Sequence, residues 1–276
     1  MNTINSKSVV LVTGASSGLG ARTAELLAAQ GHHVVGAARR TAEVAALPGV
    51  EPLALDLTDH ASITAAVEHV LARHGRVDVL VNAAGYGEFG SVEETTPERA
   101  RRQLDVNVFG LAALTQQVLG PMRAAGRGRV VNVSSLAGEF SSPLAGWYHA
   151  SKFAVEALSD SLRHEVRPFG IDVVVVQPGP VRTPWHDQAL TSMQETSGAG
   201  PYAGMARAVR EFHERAQDQP ITSDVDTVAD VIVTAATTSR PRVRYRPGRG
   251  AALAVALSRL PDRVFDALTR RQFRLP

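Results

Sequence analysis

Short runs of β-branched residues alternate with longer amphipathic segments along most of this chain, and that alternation constrains the fold more than any other feature. "SVVLV" (8–12) reads as a strand, "GLGARTAELLAAQG" (18–31) as a helix stopped at Gly31, "HVVGA" (33–37) and "EPLALD" (51–56) as further strands. A helix over 60–75 ending at Gly75 follows, then the strand "VDVLVNAAG" (77–85) running into a glycine loop. A long helix near 97–124, the strand 129–135, a helix carrying Tyr148 to about Pro168 and the strand 171–179 continue the rhythm. The strand runs show no polar alternation, which is expected when both faces are covered by helices, as in parallel sheets. With right-handed crossovers the pattern predicts a doubly wound α/β sheet.

The rhythm breaks after 179. Residues 180–220 form a polar, Gly- and Pro-punctuated excursion holding one amphipathic piece, "GMARAVREFHERA", and it resumes with a helix over 224–238 and a last strand near 242–246. With no internal repeat and no linker, the expectation is one domain over 1–276 with an inserted substrate-binding flap at 184–220. A chain of 276 residues is long enough for one large α/β core. Cysteine is absent, so neither a disulfide framework nor a thiol nucleophile is available. The amino end carries no basic-then-apolar leader and no apolar run is long enough to span a bilayer, so cytoplasmic residence is expected. A net charge of +2 gives no case for nucleic acid as a global partner. Arginines do gather between 240 and 274 with only Asp262 and Asp266 against them; they read as a solvated edge strand and terminal helix, or as a contact for an anionic partner or a second subunit.

"TGASSGLG" (13–20) follows the first strand and opens the first helix. Gly14, Gly18 and Gly20 let the turn fold tightly and bring backbone N–H groups near a pyrophosphate, while the helix N-terminus adds partial positive charge. The second strand ends in "GAARR". An acid there would suit the ribose 2′-hydroxyl of NAD(H); Arg39 instead offers a planar fork to the 2′-phosphate of NADP(H). Asp56 lies where an adenine rim would be, though it could equally cap the next helix, a task Thr58 or Asp59 would do better. Asn82, in "NAAG", stands at the carboxyl end of the fourth strand, along which ligands collect.

"TGASSGLG", "NAAG", "NVSS" and "YHASK", in this order and separation, resemble the classical short-chain dehydrogenases/reductases over roughly residues 7 to 183. The resemblance implies a seven-stranded Rossmann sheet and hydride transfer at a nicotinamide. It implies Tyr148 and Lys152 as the catalytic pair, Ser135 (thirteen residues before the tyrosine) rather than Ser134, and Asn107 from the middle helix. For the cofactor it implies Gly14, Ser16, Ser17, Gly18, Leu19, Gly20, Arg39, Asp56, Leu57, Asn82, Ala83, Gly85, Tyr148, Lys152, Pro178, Gly179, Val181 and Thr183. Ala83 departs from the second asparagine common in "NAAG", and Pro180 stiffens the loop after Gly179. Homodimers or homotetramers are the family habit, with helices 97–124 and 148–168 as the seam.

The chemistry is coherent in itself. Tyr148 and Lys152 share a helix face; they form either a surface pair or a phenol whose proton is loosened by an ammonium. A phenol has a pKa of about 10, and a neighbouring positive charge would lower it. Ser135 would bond the substrate oxygen, and Asn107 would hold a water that resupplies the proton. Against this, Ser134 and Ser135 could cap a turn and Asn107 could tie strands. Tyr86, Phe89, Phe140, Trp147, Trp185, Met193, Tyr202 and Met205 would give a mostly apolar pocket, suited to a bulky hydrophobic ketone or alcohol; Arg182 and His186 are possible polar anchors there, though surface roles suit them better. The arginine-rich tail resembles the branch of 17β-hydroxysteroid dehydrogenase type 1 and retinol dehydrogenases, an analogy that fixes no substrate. The expected activity is an NADP(H)-dependent carbonyl reductase or alcohol dehydrogenase. The alternative is a catalytically silent NADP(H)-binding sensor or scaffold. A serine hydrolase at Ser135 fails for want of a G-x-S-x-G elbow.

Overall fold

In the computed structural model, which describes residues 7–275, seven strands form one parallel sheet in the order β3-β2-β1-β4-β5-β6-β7. The amino-terminal stretch read for a leader lies largely outside the described residues. The strands are β1 (Val9–Thr13), β2 (His33–Ala38), β3 (Val50–Ala54), β4 (Val79–Asn82), β5 (Gly128–Val133), β6 (Ile171–Val176) and β7 (Arg244–Tyr245). Each apolar run divides its residues between two cores. Val9 and Leu11 face one core and Val10 and Val12 the other, so all five residues of the strand, Thr13 included, are buried.

Helices α1 (Gly18–Ala29), α2 (Thr41–Ala45), α3 (His60–His74), α4 (Pro97–Leu104), α5 (Leu111–Ala124) and α6 (Gly146–Val166) fill the crossovers. One core joins the sheet to α3, through Ile63, Ala66, Val67 and Val70, and to α5, through Leu114, Val118 and Met122. The other joins it to α1 and to α9 (Val225–Thr237), which contributes Val228, Ile232 and Val233. Each such side chain taken out of water contributes about 1.5–3 kcal/mol. At the reversal of strand order, the carboxyl ends of β1 and β4 lie side by side and open a crevice, the usual place for a ligand in such sheets.

Three expectations need correction. The long middle helix is not one regular helix: a π-helical turn over Asp105–Gly110 separates α4 from α5. Gly110 lies so close to the Leu57 carbonyl that any side chain there would collide with it. The excursion after 179 holds two helices, α7 (Pro184–Ser197) and α8 (Ala203–Gln217). Pro184 breaks nothing; it occupies the first helical turn, where its missing N–H is harmless. Beyond β7 the tail forms α10 (Ala251–Leu257) and α11 (Asp262–Phe273). Phe273 packs into the same core as Phe89, Ala189, Leu190, Met193, Ala206 and Val209, so the end of the chain is built into the α7–α8 excursion.

Candidate active site

Thr13 ends β1 and fixes the floor of the crevice. Its hydroxyl oxygen accepts hydrogen bonds from the N–H groups of Ala83 (3.1 Å) and Ala84 (3.0 Å). The glycine loop folds against that same segment. Gly14 has φ +70°, and a Cβ there would stand 2.8 Å from the Ala84 Cα. A Cβ on Gly20 would overlap the Gly14 carbonyl oxygen. Ser17 is the N-cap of α1 without a side-chain cap, and no acid occupies the first turn, so the N–H groups at that end are left for an anion. Thr183 closes the other side: a Cβ on Gly18 would lie 3.6 Å from its Cγ2. Gly14 and Gly20 are thus required by close approach and Gly18 by its left-handed backbone (φ +54°), and the chemistry of the loop, with free N–H groups and no acid, suits a phosphate group.

At the end of β2, Arg39 and Arg40 are both exposed. Arg40 is the one that touches the glycine loop, its Nη2 donating to the Ser16 Oγ at 3.3 Å while its Nε pairs with Glu43 at 3.3 Å. Arg39 acts at longer range. The Asp56 carboxylate accepts from the Thr58 N–H (2.9 Å) and hydroxyl (2.8 Å), and these bonds, aided by the charges of Arg39 and Arg102, hold its pKa below the usual carboxylate value. Asp59, not Asp56, caps α3 by accepting from the Ala61 N–H at 2.9 Å. Asn82 is buried, and its Nδ2 donates to Thr115 Oγ1 (3.0 Å) and Asn132 Oδ1 (2.9 Å). The side chain therefore ties β4 to β5 and α5, leaving the adjacent Ala83–Gly85 backbone at the crevice.

Tyr148 and Lys152 lie on the buried stripe of α6 with Ser151, Val155 and Ser159. Ser135 stands beside the phenol, and the rings of Phe89 and Trp185 pack on it at centroid distances of 5.8 and 5.1 Å. Burial pushes its pKa up to about 12, with the Ser135 hydroxyl acting the other way. The expected lowering by Lys152 is not the dominant effect in the protein by itself, because the phenol is dry and the ammonium is turned elsewhere. Lys152 Nζ donates to the Val133 carbonyl at 3.0 Å and stands 5.9 Å from the Tyr148 ring centroid. Burial brings that ammonium down to about 8, against the favourable charge of Glu156. One of its three donors is engaged, which leaves two for ligand oxygens.

Ser135 serves two roles weighed from the sequence. Its Oγ accepts from the Ala137 N–H at 3.1 Å, capping a 3₁₀ turn over Leu136–Gly138, and it also meets the phenol. The Ser134 hydroxyl is buried without a hydrogen-bond partner among the described residues. Asn107 sits in the π-helical turn. Its Nδ2 donates to the Tyr86 carbonyl (3.0 Å) and Ser151 Oγ (3.1 Å), and its Oδ1 accepts from the Tyr86 N–H (3.2 Å). With both amide hydrogens committed, the side chain is a clamp between the 85–86 loop and α6 rather than a free holder of water.

Of the aromatic residues expected to line a pocket, Phe89 and Trp185 reach the phenol. Met193, with Tyr202 and Met205 packed beside it, belongs to the α7–α8 core, and Phe140 contacts Phe265 at 6.0 Å. Tyr86 turns its hydroxyl inward, without a hydrogen-bond partner among the described residues. Arg182 pairs with Asp224 at 2.6 Å on the surface, while His186 faces His213 at 5.3 Å. Sequence reasoning missed Arg40, which its position next to Arg39 could have suggested. It also missed His213, which stacks near Phe89 (5.9 Å) from α8 and has no motif to mark it.

A glycine loop at the crevice, a buried Tyr148–Lys152 pair with half-buried Ser135, and a doubly wound parallel sheet are the parts a nicotinamide-dependent oxidoreductase would need. The model of the family described as "short chain dehydrogenase" matches residues 8–194. A solved short-chain dehydrogenase from Streptomyces avermitilis superposes with a TM-score of 0.78 at 36% identity, covering 98% of this chain and 96% of that one. Over 179 residues the chain is 44% identical to a 3-ketodihydrosphingosine reductase of Bacteroides thetaiotaomicron, covering 65% of this chain and 66% of that one. Over 273 residues it is 32% identical to an NADPH-dependent 3-dehydrocapnine reductase of Ornithobacterium rhinotracheale, covering 94% of each. The chain belongs to the short-chain dehydrogenase/reductase family of oxidoreductases, which use nicotinamide cofactors.

Proposed function

We propose that this protein is an NADP(H)-dependent carbonyl reductase/alcohol dehydrogenase for a bulky hydrophobic ketone or secondary alcohol. The observation that carries the reading is the buried Tyr148 phenol, with Ser135 beside it, beneath the rings of Phe89 and Trp185, and Lys152 one turn further along α6. Phe89 and Trp185 offer apolar walls and exclude water, while Ser135 and Tyr148 are the polar groups beneath them. That contrast selects a hydrophobic molecule with one reactive oxygen.

Bound at this site, the nicotinamide would supply or accept the hydride. Residues Gly14, Ser16, Ser17, Gly18, Leu19 and Gly20 would hold the pyrophosphate side, with Asp56 and Leu57 at the adenine rim. Asn82, Ala83 and Gly85 would flank the middle, and Pro178, Gly179, Val181 and Thr183 would close the nicotinamide side. Arg39, and Arg40 through its contact with Ser16, supply positive charge where a 2′-phosphate would lie. The NADPH-dependent relative supports the same choice.

Ser135 holds the substrate oxygen against the phenol. Tyr148 gives its proton to that oxygen as negative charge develops there. A phenol pushed up to about 12 keeps its proton near neutrality, so it is loaded as a donor. Lys152 stabilises the phenolate left behind, because its charge is within one helical turn in a dry site. Asn107 positions the α6 face through Ser151. The α7–α8 excursion acts as the substrate flap, and the molecule works in the cytoplasm. Exposed Phe109, Phe153 and Leu158 on the π-helical turn and α6 form the seam of a homodimer or homotetramer.

The test is a panel of hydrophobic ketones and alcohols offered with NADPH or NADP, and with the NAD forms, followed at the nicotinamide absorbance. Turnover of several apolar members with preference for the phosphorylated cofactor is expected. NADPH binding without oxidation across the panel would make the protein a silent cofactor binder instead.

A further inference from the structure

The two carboxy-terminal helices present an outward face that the fold does not use. In α10, Ala251 and Val255 turn inward against Leu136, while Leu253 and Leu257, one turn apart, stay exposed, Leu253 at 63%. In α11, Phe273 is buried and Phe265 and Thr269 are half-buried, whereas Val264 and Leu268, again one turn apart, are exposed. Ile221, also exposed, lies beside the start of α10 near Gly250. Large apolar side chains left in water on successive turns of two neighbouring helices ask for a cover.

Charge says what that cover is. Arg249, Arg259, Arg263, Arg270, Arg271 and Arg274 are all exposed. Among the described residues none of them has a carboxylate within 4.0 Å, whereas the neighbouring Arg244 and Arg246 are paired with Glu156, Asp160 and Glu139. On α11, Arg263, Arg270 and Arg271 are exposed along with Val264 and Leu268. Asp262 and Asp266, the two acids of this stretch, are exposed as well and leave the six unpaired arginines in clear excess. Exposed leucines flanked by arginines are the chemistry of a helix lying in a lipid–water interface, apolar groups in the acyl boundary and guanidiniums on anionic headgroups. A second copy of this chain would fit poorly, since like-charged arginines would oppose one another with few acids to balance them.

We propose that α10 and α11 dock this protein onto an anionic lipid bilayer, with Leu253, Leu257, Val264 and Leu268 entering the interface and Arg263, Arg270 and Arg271 on the headgroups. The face adjoins the crevice: α10 packs on Leu136, next to Ser135, and α11 touches Phe140 (6.0 Å to Phe265) and Phe212 (4.4 Å to Phe273). A lipophilic substrate could pass from bilayer to crevice without crossing water; that consequence rests on the carbonyl-reductase reading, but bilayer binding does not.

The test is co-sedimentation of the full chain with vesicles of phosphatidylcholine alone or mixed with phosphatidylserine. Partitioning onto the mixed vesicles should be at least about tenfold stronger than onto neutral ones and should weaken in about 0.5 M salt. The triple variant R263Q/R270Q/R271Q should lose at least about tenfold, and L253S/L268S should lose several-fold, with both retaining wild-type turnover of a water-soluble ketone. No vesicle binding, equal binding to neutral vesicles, or binding that neither variant changes would overturn the proposal. So would a fall in solution mass in these variants without a change in lipid binding, which would assign the face to a second copy.

Discussion

Tyr148 and Ser135 stand side by side in the free protein, whereas Lys152 points its ammonium at the Val133 carbonyl, 3.0 Å away. Burial brings that ammonium down to about 8, so kcat/KM for carbonyl reduction should fall above about pH 8 as the charge is lost; a profile flat to pH 10 would show that Lys152 is not needed in charged form. Arg39 and Arg40 can be separated in the same way. Arg39→Ala and Arg40→Ala should each weaken NADPH binding by about tenfold or more and spare NADH, as expected for removal of a charge-assisted phosphate contact; equal losses for the two nucleotides would move the phosphate site elsewhere. His213 makes the clearest stability prediction. Burial, then the nearby His186 and His149, lowers its pKa to about 4, while an unfolded imidazole titrates near 6.5. Between those values the unfolded chain binds more protons, so stability is full above about pH 6.5 and declines toward pH 4, by up to about 3 kcal/mol. His213→Gln should flatten that decline in thermal melts; an unchanged slope would assign it to other groups, such as His149, which is also lowered by burial.

At the level of elements, the sheet and its main crossover helices were readable because unbroken β-branched runs and amphipathic helices leave different periodicities. β1, β2 and α3 fall within one or two residues of their expected ends, and Gly75 takes the left-handed conformation that stops α3. The glycine loop was readable because close backbone approach admits no other residue. What stayed hidden depends on tertiary contact. The π-helical turn at Asn107 arises where α4 and α5 pack against the Leu57 loop, and nothing in "LDVNVFG" marks it. Helix α7 was masked because its residues read only as part of a polar, Gly- and Pro-punctuated excursion. That Arg40 and not Arg39 meets Ser16 depends on side-chain reach from one loop to another. The place of α11 also had no sequence signal: its Phe273 closes on Phe212 at 4.4 Å, which fastens the tail to the excursion that holds Trp185. Phe273→Ala should therefore raise KM for a bulky ketone several-fold and leave kcat for a small ketone nearly unchanged. Equal effects on both substrates would mean that the tail does not support the flap.

Across the whole molecule, one buried arginine links the sheet to its helical layer. Arg129 on β5 is 1% exposed; its Nη1 donates to the carbonyls of Ala235, Ala236 and Thr238 at the end of α9, and its Nη2 pairs with Asp172 at 3.0 Å. Removing it strands the carbonyls at the end of α9, while half-exposed Asp172 keeps its water, so Arg129→Ala should cost about 2–4 kcal/mol in denaturant melts; a loss below about 1 kcal/mol would show that water replaces it. The crevice depends on that rigid frame, since Lys152 of α6 is anchored on the carbonyl of Val133, the last residue of β5. The account's central claim is that Tyr148 is the proton donor in a nucleotide-dependent reduction, and single-turnover oxidation of bound NADPH by a hydrophobic ketone tests it most directly. Tyr148→Phe should bind NADPH with unchanged affinity and lose about 10²–10⁴-fold in rate; a variant that turns over at the wild-type rate would contradict it.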